Sequence, residues 1–172
     1  MTDHQVMVRT APQPEEEPEA RPDAAATAVT VSEGDLGGLL GYRLKRAYMR
    51  IHPAAQTVLA EFGLRVLPFS VLSVIVANPG ISLTDTGQAL KIEKPNVGGI
   101  VDGLVRDKLV ERAPSTTDRR RAVLVATATG ADVQRKAQRA IAASEAALLD
   151  PLTRDERATL IALLHKIGGT ND

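Results

Sequence analysis

Hydrophobic residues recur every three or four positions from Asp35 onward, a spacing that is typical of amphipathic helices. The first stripe predicts a helix of about five turns and consists of Leu36, Leu40, Leu44, Ala47 and Ile51. Because Pro53 lacks a backbone N–H, we expect either a kink or a restart of the helix at this proline. The pattern then resumes as far as Gly63, which is suited to end a helix.

Three further helices are predicted in the middle of the chain. Residues 68–77 are apolar on nearly every side, which indicates a central, buried helix. Ser82 as N-cap and Asp85 three residues later predict a short helix over 83–90. Another helix is expected over 95–108, because its first residue is a proline.

Two β-prone runs, 109–113 and 122–127, enclose a polar turn rich in Pro, Ser, Thr and Asp, and this arrangement predicts a β-hairpin. An Ala-rich helix is predicted over about 131–149. A Thr-x-x-Glu capping box predicts a last helix over 153–168. The fold class expected from these elements is mainly α with one small β-hairpin.

Composition narrows the choice of protein class. Hydrophobic residues make up 44% of 172 residues, yet with only two Phe, two Tyr and no Trp the core must consist of Ala, Leu, Val and Ile. The absence of cysteine excludes disulfides and thiolate sites. We find no signal peptide and no apolar run of membrane-spanning length, and therefore expect a cytoplasmic protein with no membrane partner.

The formal net charge of zero conceals an uneven distribution. Residues 1–35 carry eight acids against two arginines, whereas residues 36–172 carry nineteen Lys and Arg against thirteen Asp and Glu. Residues 1–34 also contain four prolines and many small residues, so we expect a disordered acidic tail. The mildly basic remainder is compatible with a polyanionic partner.

The order of elements is the layout of a winged helix-turn-helix, in which the second helix of a pair enters the major groove of DNA and the hairpin forms a wing. Basic residues are densest in this part of the chain: Lys91, Lys94, Arg106, Lys108, Arg112, Arg119, Arg120 and Arg121. Three arginines at the hairpin tip suit a narrow minor groove. The alternative is an exposed turn that only aids solubility. If the tip binds DNA, the acidic tail could screen the basic surface, although a merely solvated tail is the simpler interpretation.

Several short motifs resemble those of the MarR family of transcriptional regulators. They are NPGIS at 78–82, LKIEK at 90–94, VDGLV at 101–105, KLVER at 108–112 and DRR at 118–120, followed by Thr127 and Gly130. The resemblance covers 39–130. It implies an obligate homodimer whose first and last two helices interlace, and a repressor that a small ligand releases from a pseudo-palindromic operator. The domains implied are the tail at 1–34, a helical dimerisation region at 35–62 and 131–168, and the winged helix-turn-helix lobe at 68–130.

The predicted DNA contacts lie on the two helices and the wing. Asn96 is the best candidate for a base contact, because an amide can bond both edges of adenine. The second helix of the pair, predicted over 95–108, is the recognition helix. Its glycines either let the helix backbone approach DNA closely or serve close helix packing. Hydroxyls and cations are assigned to phosphates, although a solvent-facing role is equally compatible with the two threonines. The full set is Thr84, Thr86, Lys94, Pro95, Asn96, Gly98, Gly99, Arg106, Arg119, Arg120 and Arg121.

The resemblance also implies a ligand cleft between the dimerisation helices and the DNA-binding lobe. Candidate lining residues combine apolar bodies with polar tips, and they are Tyr42, Arg46, Met49, His52 and Phe69. A structural or solvent-facing role is the alternative for His52. Regulators with a similar proline after the first helix include sensors of aromatic acids or their CoA thioesters, so the resemblance suggests an effector of that class.

Two other classes of protein compete with a repressor. An enzyme is not expected, because the three histidines are scattered and no H-x-x-x-H pair, Gly-rich phosphate loop or G-x-S-x-G motif occurs. For the same reasons we expect no catalytic residues, no metal and no cofactor. The remaining alternative is a winged-helix module that binds proteins without specific DNA binding.

Overall fold

The computed structural model describes residues 32–115 and 122–169, and residues 35–172 form a unit of their own. Within the described ranges, six α-helices and one two-stranded antiparallel hairpin follow a short 3-10 turn at Gly34–Gly38. The predicted fold class is therefore confirmed. The elements are α1 (Leu40–Glu61), α2 (Val66–Ala77), α3 (Leu83–Leu90), α4 (Lys94–Arg106), β1 (Val110–Pro114), β2 (Ala122–Ala126), α5 (Ala128–Leu148) and α6 (Arg154–Gly168).

Helix α1 runs through Pro53 without interruption, so the predicted restart at this proline is wrong. Pro53 and Met49, whose carbonyl loses its usual N–H partner, are both exposed and share one face of the helix. Water can therefore satisfy that carbonyl. The helix ends at Glu61 with Phe62 as its C-cap, and Gly63 adopts the left-handed conformation (φ 68°) expected just beyond a helix C-terminus.

Helix α2 lies at the centre of the hydrophobic core, as its uninterrupted apolar sequence predicts. Val71, Leu72 and Ile75 have no exposed surface. They belong to one buried cluster that also includes residues of α4 and of the hairpin, namely Val97, Val101, Leu104, Val110 and Leu124. Burying an aliphatic side chain of this size contributes roughly 1.5–3 kcal/mol, so α2 anchors the recognition helix to the rest of the lobe.

The hairpin is paired from Val110↔Ala126 to Pro114↔Ala122. It is also joined to the segment before α3. The amide of Leu124 donates to the carbonyl of Ile81, and the amide of Gly80 donates to the carbonyl of Leu124, both at 2.9 Å. These bonds fix the base of the wing to the helix-turn-helix.

Helix α5 begins at Ala128, three residues before the predicted start. Thr127 is its N-cap: the hydroxyl accepts from the amide of Gly130 at 2.9 Å and donates to the carbonyl of Lys108 at 2.8 Å. A Cβ built on Gly130 would lie 2.0 Å from the carbonyl oxygen of Leu109. The glycine therefore permits close contact with the chain before β1, and it lies inside the first turn of α5 rather than before the helix as predicted.

Helix α6 begins with the predicted capping box, since Thr153 and Glu156 bond each other's backbone amides. The backbone hydrogen bond from Thr153, followed by the bond from its side chain, lowers the pKa of Glu156. No residue of α6 is buried. In the part of the chain that the structure describes, no single helix is both long and apolar enough to span a membrane. The pair of α1 and α2 has the length and composition only when taken together, and it is bent by 72°.

Candidate nucleic-acid interface

The helix-turn-helix pair is formed by α3 and α4 and their tight turn. Ser82 caps α3, accepting from the amide of Asp85 at 3.1 Å, as predicted. Lys91 ends α3 in the left-handed conformation (φ 54°), and its ammonium donates to the carbonyl of Gly168 in α6 at 3.2 Å. A Cβ on Gly87 would lie 2.9 Å from the carbonyl oxygen of Ile92, so this glycine allows the turn to close.

Helix α4 has one buried side and one open side. Val97, Val101 and Leu104 face the core. The predicted DNA contacts lie on the other side: Lys94, Pro95, Asn96, Gly99 and Arg106 are exposed, and Gly98 is half-buried. The helix ends at Arg106 rather than at the predicted Lys108, because Lys108 leaves the helical conformation with a φ of 59°.

The glycines of α4 do not serve close packing against other described parts of the chain. A Cβ built on Gly98 or Gly99 meets no atom within 4 Å, and one on Gly103 meets only the end of the Arg106 side chain at 3.7 Å. Close helix packing, one of the two explanations offered by the sequence, is therefore wrong for this unit. Because no described side chain covers Gly98 or Gly99, another molecule can approach the helix backbone on the open side of α4.

The two threonines of α3 differ. Thr84 is exposed and remains available for a phosphate contact. Thr86 has no exposed surface, and its hydroxyl donates to the carbonyl of Ser82 at 2.9 Å. The prediction that Thr86 contacts DNA is wrong, because its position on α3 turns it towards the core and its hydroxyl is used within the helix.

An ion pair joins the recognition helix to the wing. The Arg112 guanidinium on β1 lies 2.6 Å from the carboxylate of Asp102, a residue on the open side of α4. The two side chains are 42% and 71% exposed, so the pair is accessible from the surface. In the sequence Arg112 was only one of a cluster of basic residues. Its partner Asp102 could be identified only from the packing of β1 against α4.

A cleft of about 570 Å³ lies between the open side of α4 and the turn that joins α1 to α2. Two arginines line it: Arg106 on α4, and Arg65 on the turn. Sequence reasoning missed Arg65, which lies outside the basic cluster and meets α4 only in the folded chain. The other lining residues are Gly63, Leu64, Pro68, Pro95, Asn96, Gly99, Ile100, Gly103, Leu104 and Asp107.

Other predictions fall outside the described residues. The wing arginines Arg119, Arg120 and Arg121 lie in the gap between 115 and 122, and most of the acidic tail precedes residue 32. Their proposed roles therefore remain predictions. Among the described residues, no group of three His, Cys, Asp or Glu side chains could hold a metal ion.

The five predicted ligand-binding residues are not gathered around one cavity of the described chain. Arg46 and Met49 line an open hollow of about 550 Å³ on α1. The Arg46 guanidinium donates to the Tyr42 hydroxyl at 3.3 Å and lies 5.9 Å from the centre of its ring. His52 instead stacks on Tyr48 with ring centres 4.6 Å apart, and Phe69 packs against the hydrophobic core.

Charged groups elsewhere on the surface form local pairs. Asp132 lies 2.7 Å from Lys136 and 2.6 Å from Arg135, all in the first half of α5. Hydrogen bonds from Lys136 and then from Arg135 lower the pKa of Asp132. None of these residues lines the cleft beside α4. The cationic side chains that line that cleft are Arg65 and Arg106.

Comparisons with known proteins agree that this chain is similar to transcriptional regulators. The MarR family model matches residues 62–121, which include α2, α3, α4 and β1. A protein of Thauera aromatica assigned as a transcriptional regulatory protein for the hcr operon is 29% identical over 135 residues, 78% of this chain and 81% of that protein.

Solved structures extend the similarity to about four fifths of this chain. The transcriptional repressor CouR bound to a 23-mer DNA duplex is 34% identical, with a TM-score of 0.74 over 80% of this chain and 98% of that chain. CouR bound to p-coumaroyl-CoA is 32% identical, with a TM-score of 0.70 over 82% of this chain and 99% of that chain.

Proposed function

The chain belongs to the MarR family of transcriptional regulators, and from this premise we propose that it is a repressor that binds a pseudo-palindromic operator as a homodimer and leaves it when a small effector binds. The observation that carries the proposal is the open side of α4. It offers Asn96 and a helix backbone uncovered at Gly98 and Gly99, in a fold shared with a repressor bound to duplex DNA. Family membership also assigns the chain to non-enzymatic regulators.

Each contact has a proposed task. Asn96 reads a base edge, and Lys94 and Arg106 neutralise phosphates. Pro95 lies in the first turn of α4, which is directed towards the groove, and Thr84 on α3 bonds a phosphate. The wing arginines Arg119, Arg120 and Arg121 enter the flanking minor groove. A DNA-bound repressor of this kind works in the cytoplasm, the compartment that the sequence also predicts.

Exposed apolar side chains support the homodimer. On α6, Ile161 is 67% exposed and Ile167 is 61% exposed, with Leu160, Leu163 and Leu164 beside them. In the segment that leads into α1, and at its first residue, Leu36, Leu39 and Leu40 are also exposed. Large exposed apolar patches mark sites of protein association, and the family resemblance assigns the first and last helices to the dimer. Two half-sites about one helical turn apart are then expected in the operator.

The proposed effector is an aromatic acid or its CoA thioester. CouR, a repressor of the same fold, is known in complex with p-coumaroyl-CoA. In this chain the Tyr42 ring and the Arg46 guanidinium form a paired aromatic and cationic surface on α1. Such a pair suits a ligand with an aromatic ring and an anionic group. Met49, His52 and Phe69 are proposed to complete the site once the second copy is in place.

A mobility-shift assay on the DNA upstream of the chain's own gene tests the proposal. The full-length protein is expected to shift this DNA and not a scrambled duplex. Arg120→Ala should weaken binding and reduce the slope of log affinity against log salt by about one. Adding p-coumaroyl-CoA or the free acid should release the DNA and raise the melting temperature. No sequence-dependent shift at low salt would instead favour the protein-interaction module.

A further inference from the structure

The cleft between α4 and the α1–α2 turn has no role in the sequence-based predictions. Building on the proposed DNA binding, we propose that it holds the sugar–phosphate backbone of the operator, with Arg65 as a phosphate-binding residue opposite Arg106. Both arginines line the cleft, and both are exposed. The α1–α2 turn would thereby become a further DNA-contacting element, in addition to α3, α4 and the wing.

Arg65 is free to meet a phosphate. It forms no ion pair and no side-chain hydrogen bond with the residues that the structure describes. It is also the N-cap of α2, and α2 has no side-chain cap and no acidic residue in its first turn. The positive end of a helix dipole thus adds to the charge of the guanidinium.

The opposite wall leaves room for a bulky polyanion. Gly99 and Gly103 lie on the side of α4 that lines the cleft, and a Cβ on Gly99 would meet nothing within 4 Å. Among the residues that the structure describes, Arg106 forms one ion pair, a 3.5 Å contact with Asp107 at the surface, and its guanidinium can exchange that partner for a phosphate. A phosphate between Arg65 and Arg106 would receive charge-assisted hydrogen bonds from both walls.

This placement explains why α4 bears small residues where it lines the cleft. A helix lying in the major groove needs its flank close to one strand's backbone, and long side chains at positions 99 and 103 would hold it away. Phosphate contacts fix the register of a helix in the groove without reading sequence. Arg65 and Arg106 would therefore orient α4 so that Asn96 meets a base edge.

The test uses the full-length protein and its operator, with affinity measured across a series of salt concentrations. Arg65→Ala should weaken binding about equally for specific and non-specific DNA, and should reduce the slope of log affinity against log salt by about one. Arg65→Lys should restore the slope, since it retains the charge. Arg139→Ala, which removes an exposed arginine of α5 that does not line the cleft, is the matched control and should leave the slope unchanged.

Four results would overturn the proposal. An Arg65→Ala variant with the wild-type affinity and slope would exclude Arg65 from the interface, while operator binding by the wild type still supported the repressor. A loss of affinity that Arg65→Lys does not restore would indicate a structural role. A wild-type slope combined with poorer release by p-coumaroyl-CoA would assign the cleft to the effector. Failure of the wild type to bind any operator would refute the repressor function as well.

Discussion

The guanidinium of Arg112 lies 2.6 Å from the carboxylate of Asp102, and this contact joins the first strand of the wing to the recognition helix. Asp102 would repel phosphates if it stood alone on the open side of α4. Arg112→Ala should therefore weaken operator binding by at least about tenfold, while changing the free energy of unfolding by less than about 1 kcal/mol, because the pair is exposed.

A double-mutant cycle isolates the contribution of this pair. Adding Asp102→Asn to Arg112→Ala removes the uncompensated charge and should restore part of the lost affinity. Binding titrations supply the affinities, and urea unfolding supplies the stabilities. Strictly additive effects on DNA binding would show that Arg112 and Asp102 act independently.

If α4 binds DNA as proposed, its glycines lower the stability of the helix but leave its backbone accessible to DNA. Gly98→Ala and Gly99→Ala should each stabilise the fold by about 1 kcal/mol, since alanine is the better helix former and the added methyl meets no atom within 4 Å. The same changes should weaken operator binding, because a methyl would intrude between α4 and DNA. Thermal unfolding and mobility shift measure the two effects. Stabilised variants with unchanged affinity would place the DNA elsewhere.

Gly130 in the first turn of α5 should tolerate no side chain. A Cβ there would lie 2.0 Å from the backbone oxygen of Leu109, and backbone cannot rotate away as a side chain can. Gly130→Ala should therefore destabilise the protein by about 3 kcal/mol, measured as a shift of the urea midpoint. Gly98→Ala is the matched control, because the same substitution there enters open space. Equal stability of the two variants would contradict the close approach.

The apolar side of α6 should carry the dimer. Ile161→Glu is expected to give a monomer with much weaker operator binding, because it places a charge on a 67% exposed apolar position that the partner would bury. Ala162→Glu serves as the control, since residue 162 lies about 200° around the helix from Leu160 and is also exposed. Light scattering after size-exclusion chromatography measures the mass. A dimeric Ile161→Glu variant would assign the interface to another surface.

Local signals in the sequence predicted local structure well. The Ser82 cap, the Thr153 and Glu156 capping box and the β-hairpin are all confirmed, because each depends on residues a few positions apart. The buried helix α2 is confirmed for the same reason, since its apolar composition needs no partner to be recognised.

What the sequence did not reveal depends on contacts between distant segments. The prediction placed Gly130 just before α5, and only the nearby carbonyl of Leu109 explains why a glycine lies inside this helix. Thr86 was predicted to contact DNA because the sequence predicted the helix that contains it but not which side of that helix packs against the core. Arg65 was overlooked because about forty residues separate it from Arg106, although both line one cleft. The spacing of residues along the sequence does not predict such contacts between distant segments.

The close contact of Gly130 with Leu109 also has a mechanical consequence. The strands of the wing and the start of α5 meet at this contact, so we expect the wing and the helix to rotate together as one rigid body. At about 1.5 Å per residue, the 21 residues of α5 form an arm of roughly 30 Å. A tilt of about 5° at the junction would then move the far end of that arm by about 3 Å. If the wing binds DNA as proposed, a ligand that moves the far end of α5 would also change the angle between the wing and the DNA.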